Sequence, residues 1–210
     1  MLRKKEVTIE DVAWFVGKAL FWVFFVTISP AQESHTINLT LDPGATKVQW
    51  TLGDVLHTVH GTFRMKRGVI HYDPVTGEAN GLIEIDATSG ESGSPARDQR
   101  MHQNILNSAL YRVITFRPTH VEGRFERTIG SSFSVDGIFN LHGHDHPMRM
   151  KVTAQPQLNG VLLQTHFEVP YVDWGLRDPS TLMLRVNKDV SIDIGALGKA
   201  SIGPDTTAHR

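Results

Sequence analysis

The chain has 210 residues, enough for one domain with a sizeable core and a short extension. Its formal net charge of -1 carries no signature of a nucleic-acid partner or of attraction to an anionic membrane surface. The sequence contains no cysteine, which excludes disulfides, thiolate nucleophiles and thiolate metal sites.

The first 31 residues have the order of a targeting segment. Residues 3–5 are Arg-Lys-Lys, residues 19–28 form a short apolar run, and Ser29 and Ala31 are small residues of the kind a signal peptidase reads. The run is about half the roughly 20 residues that span a bilayer as a helix. We therefore predict a signal peptide over residues 1–31 and an exported protein, periplasmic or secreted. Because Glu6, Glu10 and Asp11 dilute the positive start, an uncleaved membrane anchor remains the alternative.

From residue 37 to residue 196 the hydrophobic pattern has a period of two, typical of strands with one buried and one solvated face. The alternating positions are Val48, Trp50, Leu52; Val59, Gly61, Phe63; Ile83, Ile85, Ala87; Phe133, Val135, Gly137, Phe139, Leu141; Val161, Leu163, Thr165, Phe167, Val169; and Val190, Ile192, Ile194. Turn signals at residues 42–44, 73–77, 158–160 and 178–180 separate these runs. Because strands with one apolar face must cover one another, the pattern predicts an all-β fold, either a closed antiparallel β-barrel of about eight strands or a sandwich. We expect this domain to cover residues 32–203, followed by a flexible tail at residues 204–210.

One segment breaks the strand pattern with helical spacing. Met101, Ile105 and Leu106 fall on one side of residues 95–108, Pro95 suits the first helical position, and Ser94 can cap it. The sequence therefore predicts one short α-helix lying over an end or side of the barrel.

The lumen of a barrel of this size is either filled by side chains or holds one small ligand. Several inward positions, among them Gly61, Ala87, Gly137 and Thr165, are small and stand beside aromatic residues, which would leave room for an apolar cavity suited to a hydrocarbon chain. A solid core built from the same residues remains the alternative, because alternation does not reveal a void. The candidates for the cavity lining, chosen by alternation and size, are Val48, Trp50, Phe63, Ile85, Phe116, Phe139, Leu141, Phe167 and Trp174.

A series of short motifs resembles the YceI-like family of exported polyisoprenoid-binding proteins. In order they are VHGTF at 59–63, GVI at 68–70, IEIDATS at 83–89, RD at 97–98, Tyr111, ITF at 114–116, VDG at 135–137, FNLHG at 139–143 and DVSIDI at 189–194. The chain departs from the family pattern at Ala109 and Leu110, where an aromatic pair is usual, and at Arg112, where proline is usual.

The resemblance implies an elongated, lipocalin-like barrel whose lumen holds an isoprenoid tail, and a protein that is not an enzyme and needs no cofactor. It gives the expected partner as an isoprenoid or other apolar lipid, with possible transient membrane contact, and leaves the oligomeric state open. Arg97 and Asp98 are candidates for a gate pair at the rim, and Tyr171 for a rim contact with a lipid headgroup. The same positions also suit structural roles, in which Asp98 lies near the positive end of the helix and Tyr171 packs.

His142, His144 and His146 stand at alternate positions beside Asp145 and, on a continuing strand, would share one face as a metal site could use. His102 could add a fourth ligand, and such a site could support a metal-dependent hydrolase. Gly143 and Pro147 point instead to a hairpin in which the alternation fails, so our prediction contains no metal site.

Overall fold

A computed structural model of the chain describes residues 35–53, 57–126, 128–181 and 185–204. The predicted targeting segment at residues 1–31 and residues 205–210 of the predicted tail lie outside the described residues. Within the described part, no helix is long and apolar enough to cross a membrane.

The described residues form nine strands, all paired antiparallel, and the predicted barrel is confirmed. The strands are β1 His35–Leu41, β2 Lys47–Gly53, β3 Thr58–Tyr72, β4 Ala79–Glu91, β5 Val113–Glu122, β6 Ser131–Leu141, β7 His144–Gln157, β8 Gly160–Val169 and β9 Val190–Pro204. β1 and β2 both pair with β3 on one side and β9 on the other, so together they fill one position of the sheet. The barrel therefore has eight positions and closes on itself, which leaves each strand paired on both sides.

A 3-10 turn at Pro43–Ala45 separates β1 from β2. The Asp42 side chain accepts a hydrogen bond from the Gly44 amide at 2.9 Å, and this local bond competes with the strand conformation. The predicted turn at residues 42–44 thus interrupts one long strand, without reversing the direction of the chain.

Two bulges bend the sheet. The β3–β4 pairing shifts register between Met65 and Arg67, and the β5–β6 pairing shifts between Pro118 and His120. Pro118 lacks an amide hydrogen, and a bulge is a position where a strand tolerates that loss. Each bulge adds one residue to its strand, so the inward positions change parity along β3 and β5.

The predicted helix forms as α1, Pro95–Arg100, with Pro95 in its first turn, and continues as a π-helical turn over Met101–Ile105. Ser94 occupies the N-cap position, as predicted, but its side chain makes no capping hydrogen bond. Ser92 supplies the local contact instead: its hydroxyl donates to the Asp98 carboxylate and accepts from Arg97 Nε at 2.8 Å. We call the end of the barrel that carries α1 the helix end. The opposite end, formed by the β3–β4, β5–β6 and β7–β8 connections, the start of β1 and the end of β9, is the turn end.

The buried hydrophobic residues form three separate clusters along the barrel. The helix-end cluster is Phe116, Leu141, Met150, Phe167, Val169, Tyr171 and Leu176; the middle cluster is Leu39, Leu41, Val48, Met65, Ile85 and Ala196; the turn-end cluster is Tyr72, Ala79, Val121, Phe125, Ala154 and Val161. None of the described residues with a large side chain is less than 2% exposed. Partly buried residues such as Ile83, Ile194 and Leu163 each pack against two of the clusters and connect them. A solid core would nevertheless bury some large side chains completely, so the interior retains free space.

Candidate functional site

The free space is a cavity of about 140 Å³ along the lumen, lined by residues of all three clusters from Phe139 and Phe167 near the helix end to Tyr72 and Phe125 at the turn end. Its wall is built from the inward aliphatic and aromatic side chains of the strands. Tyr72, Thr115, Gln164 and Thr165 are its polar residues. An apolar cavity of about 150 Å³ holds one benzene molecule, so this cavity has room for roughly six carbon atoms.

Four of the predicted lining residues lie on the wall of this cavity: Ile85, Phe116, Phe139 and Phe167. Val48 and Ile85 belong to the middle cluster, and Phe63 packs against it half-buried. Leu141 is buried in the helix-end cluster and does not reach the cavity wall.

Trp50 is buried against the backbone of β3. A Cβ at Gly61, its cross-strand partner, would come within 2.3 Å of the indole ring and 2.2 Å of the Glu91 carbonyl oxygen. At Gly137 a Cβ would come within 2.4 Å of the Phe116 ring and 2.5 Å of the Arg117 carbonyl oxygen. The space at both glycines is therefore filled by a neighbouring aromatic ring, which corrects the expectation that these glycines leave room in the lumen. Thr165 does line the cavity.

Aromatic rings pack across the helix end. Trp174 stacks on His146 with ring centroids 4.0 Å apart and contacts Phe139 at 5.7 Å, and Phe139 meets Phe167 edge-on at 6.1 Å. Ile105 and Leu106 from the helical segment pack against the same cluster. The helix end is thus held by apolar contacts.

The predicted rim residues bond within the protein. Arg97 donates to the Ser92 hydroxyl and, at 2.9 Å, to the Ser92 carbonyl oxygen, and Asp98 accepts from the same hydroxyl. The Tyr171 hydroxyl donates to the Asn187 carbonyl oxygen at 2.8 Å. Burial raises the pKa of Tyr171 to about 12, with smaller contributions from Asp178 and Asp189. All three polar groups lie outside the cavity wall.

The histidine-rich segment forms a hairpin. His142 and Gly143 have φ values of 54° and 81°, as the two central residues of a type I′ turn require, and β7 begins at His144. The His142 ring lies on Tyr111 at 3.9 Å, whereas His146 stacks on Trp174. Burial lowers the pKa of both His142 and His146, and the neighbouring His144 lowers both further.

His102 contacts the Ser108 hydroxyl and the Gly90 carbonyl oxygen, each at 2.9 Å. Across the described ranges, no three His, Asp or Glu side chains come together as a metal site requires. The histidine rings that alternate in the sequence therefore contact different residues.

Sequence reasoning missed most of the cavity wall at the turn end, including Ile37, Ile70, Tyr72, Phe125 and Phe133. The alternation of Ile37, Leu39 and Leu41 could have found β1. The β3 bulge hides Ile70 and Tyr72, because their inward parity differs from that of Phe63 and Met65. Phe125 lies in a connection, where no periodicity marks it.

Comparison with known proteins places the fold. A model of the YceI-like domain matches residues 39–196. Solved structures of the same fold include BcnA from Burkholderia cenocepacia (TM-score 0.61, 13% identity, 74% of this chain and 98% of that chain covered). A polyisoprenoid binding domain from Saccharophagus degradans, implicated in plant cell wall breakdown, has a TM-score of 0.57 at 16% identity, covering 78% of this chain and 98% of that chain. The YCEI protein of Campylobacter jejuni has a TM-score of 0.53 at 14% identity, with 71% and 88% covered. No curated protein matches the chain.

Proposed function

The chain belongs to the YceI-like family, and on that premise we propose that its barrel binds an apolar isoprenoid-type lipid, a polyprenyl chain or a quinone. The observation that carries the proposal is the apolar cavity of about 140 Å³. Each Å² of hydrocarbon surface moved from water into such a wall contributes about 25 cal/mol. The polyisoprenoid binding domain of Saccharophagus degradans, which has the same fold, supports the ligand class.

The proposed role is that of an extracytoplasmic carrier or storage protein, not an enzyme. The residues that line the cavity include no carboxylate and no imidazole, the groups that most often act as general acids and bases. The predicted targeting segment supports a location outside the cytoplasm. A solid-core interaction module is the rival proposal, and the cavity counts against it.

Tyr72 is the best candidate to contact the polar head of the ligand. It is the only residue at the turn-end part of the described cavity wall that carries a hydroxyl, and burial raises the pKa of that hydroxyl above its ordinary value. Thr165, by contrast, already donates to the Lys151 carbonyl oxygen at 2.9 Å. The ligand would then lie with its head at Tyr72 and its tail toward Phe139 and Phe167.

Native mass spectrometry of protein purified from its own host, followed by organic extraction, tests the proposal. We expect a co-purified prenyl or quinone mass. Repeated native preparations without lipid, from protein that also fails to take up an added quinone, would overturn it. The variant Tyr72→Phe should keep the tail contacts and lose about fivefold in quinone affinity, the value of one ordinary hydrogen bond.

A further inference from the structure

The exposed hydrophobic side chains are unevenly distributed over the barrel. Among the described residues, six large hydrophobic side chains are exposed, and four of them lie at the turn end: Val75, Ile129, Leu158 and Ile202. Single exposed hydrophobic residues are normal on any protein surface. Four of them at the same end of a barrel are a concentration of exposed apolar side chains, a feature that marks interaction sites.

Each of these residues lies in a connection or near a strand end at the turn end. Val75 is at the β3–β4 turn and Leu158 at the β7–β8 turn, and Leu158 is fully exposed. Ile129 is in the β5–β6 connection and 62% exposed. Ile202, 54% exposed, is near the end of β9, opposite Ile37 of β1.

The cavity reaches the same end. Tyr72, Val121, Phe125 and Phe133 line it there, and Phe125 lies in the same connection as Ile129. Toward the helix end the cavity is bordered by Phe139 and Phe167, and Trp174 packs against Phe139. The exposed apolar tips thus surround the end of the barrel that the cavity approaches.

The predicted targeting segment, which lies outside the described residues, suggests that a membrane meets the turn end. The apolar run at residues 19–28 precedes β1 by six residues, and β1 starts at the turn end. Six extended residues reach at most about 20 Å. If that run is retained in a membrane as an uncleaved anchor, the connecting residues allow the start of β1 to lie at most about 20 Å from it.

We infer that the turn end docks on a lipid bilayer, with Val75, Ile129, Leu158 and Ile202 entering the interface. Asp73 and Glu78 flank Val75, and the exposed Arg124 lies in the same connection as Ile129. Because charges of both signs stand at this end, we expect the contact to depend on the apolar side chains. Lipid exchange through this end rests on the proposed function, whereas docking does not. In that exchange the tail would move between bilayer and lumen while the head stays at the interface beside Tyr72.

The experiment uses the full chain, whose lack of cysteine allows a single label. Asn159→Cys places an environment-sensitive fluorophore at the turn end, and Leu110→Cys places it at the helix end; both positions are exposed. The labelled proteins are mixed with phosphatidylcholine vesicles whose acyl chains carry a doxyl quencher. We expect quenching at residue 159 and none at residue 110. Equal quenching at the two positions, or none at either, would overturn docking.

Serine variants separate docking from simple tethering. In the Asn159→Cys background, the changes Val75→Ser, Ile129→Ser and Ile202→Ser together should abolish the quenching and weaken vesicle affinity by about tenfold or more. Val69→Ser with Leu110→Ser, exposed elsewhere, is the matched control and should leave both unchanged. Thermal unfolding verifies that the variants fold.

A turn end covered by a second copy of the chain gives a different result. Sedimentation without vesicles would then show a dimer that the three serine substitutions dissociate, and this outcome would overturn the membrane assignment. Co-purified lipid is measured separately, so a barrel that retains lipid without docking would refute this inference and leave the proposed function standing.

Discussion

The change Ala196→Leu tests directly whether the lumen is hollow. Ala196 lies on β9, is 3% exposed, and presents its methyl group to the cavity wall. Leucine adds three carbons at this position. Because the cavity holds roughly six carbon atoms, the added atoms would fill about half of it.

The sign of the change in the free energy of unfolding distinguishes a hollow lumen from a fully packed one. Three carbons buried in free space contribute about 0.8 kcal/mol each, an upper limit of about 2.4 kcal/mol, from which the side-chain entropy of leucine removes roughly 0.5–1 kcal/mol. In a fully packed interior the same atoms would force neighbours apart and cost about 1–3 kcal/mol. We therefore expect the lipid-free protein to become more stable by about 1.5 kcal/mol.

Urea unfolding of lipid-free protein, followed by circular dichroism, measures this difference. Ala109→Leu is the control, because Ala109 is exposed and the same added atoms should change the stability by less than about 0.5 kcal/mol. The Ala196→Leu protein should also retain less lipid through native purification. A loss of about 1 kcal/mol or more relative to the control would refute the cavity.

Two further predictions concern the glycines and the stacked histidine. Gly137→Ala should destabilise the fold by about 1–3 kcal/mol in urea unfolding, because its Cβ would meet the Phe116 ring, whereas Gly195→Ala, with nothing within 4 Å, should be close to neutral. For His146, burial lowers the pKa in the folded state, so the unfolded chain binds the proton more readily. Its contribution to stability is therefore complete above pH of about 6.5 and declines as the pH falls below that value. His146→Phe keeps a ring on Trp174 and should flatten part of this decline in thermal unfolding measured from pH 7 to pH 5; an unchanged slope would contradict the burial argument.

The strands could be predicted because they depend on local alternation. The runs ending at Leu141 and Val169 give the strand and the inward face together, and the YceI-like motifs gave the closed barrel. The interruption between β1 and β2 was harder to foresee, because Asp42 gives the same turn signal whether the chain reverses or continues. The bulge between Met65 and Arg67 was equally hidden, because the extra residue is recognised by its pairing with β4 and not by its type.

The cavity could not be placed from the sequence for a different reason. The volume available at a small inward residue depends on which ring its cross-strand neighbour directs toward it. Gly61 and Gly137 are covered by Trp50 and Phe116, whereas Ala196 borders free space. These differences arise from the rotamers of other strands, so residue size alone did not locate the void.

The difference between the two ends of the barrel narrows the ligand to one with a single polar end. At the turn end Tyr72 borders the cavity, whereas the inner part of the wall is formed by Phe139 and Phe167. Arg97 and Tyr171 lie outside the wall and bond within the protein. A ligand with polar groups at both termini would leave one of them buried against aromatic rings, at a cost of about 1–3 kcal/mol. A prenol or a prenylated quinone avoids that cost, because its inner terminus is hydrocarbon.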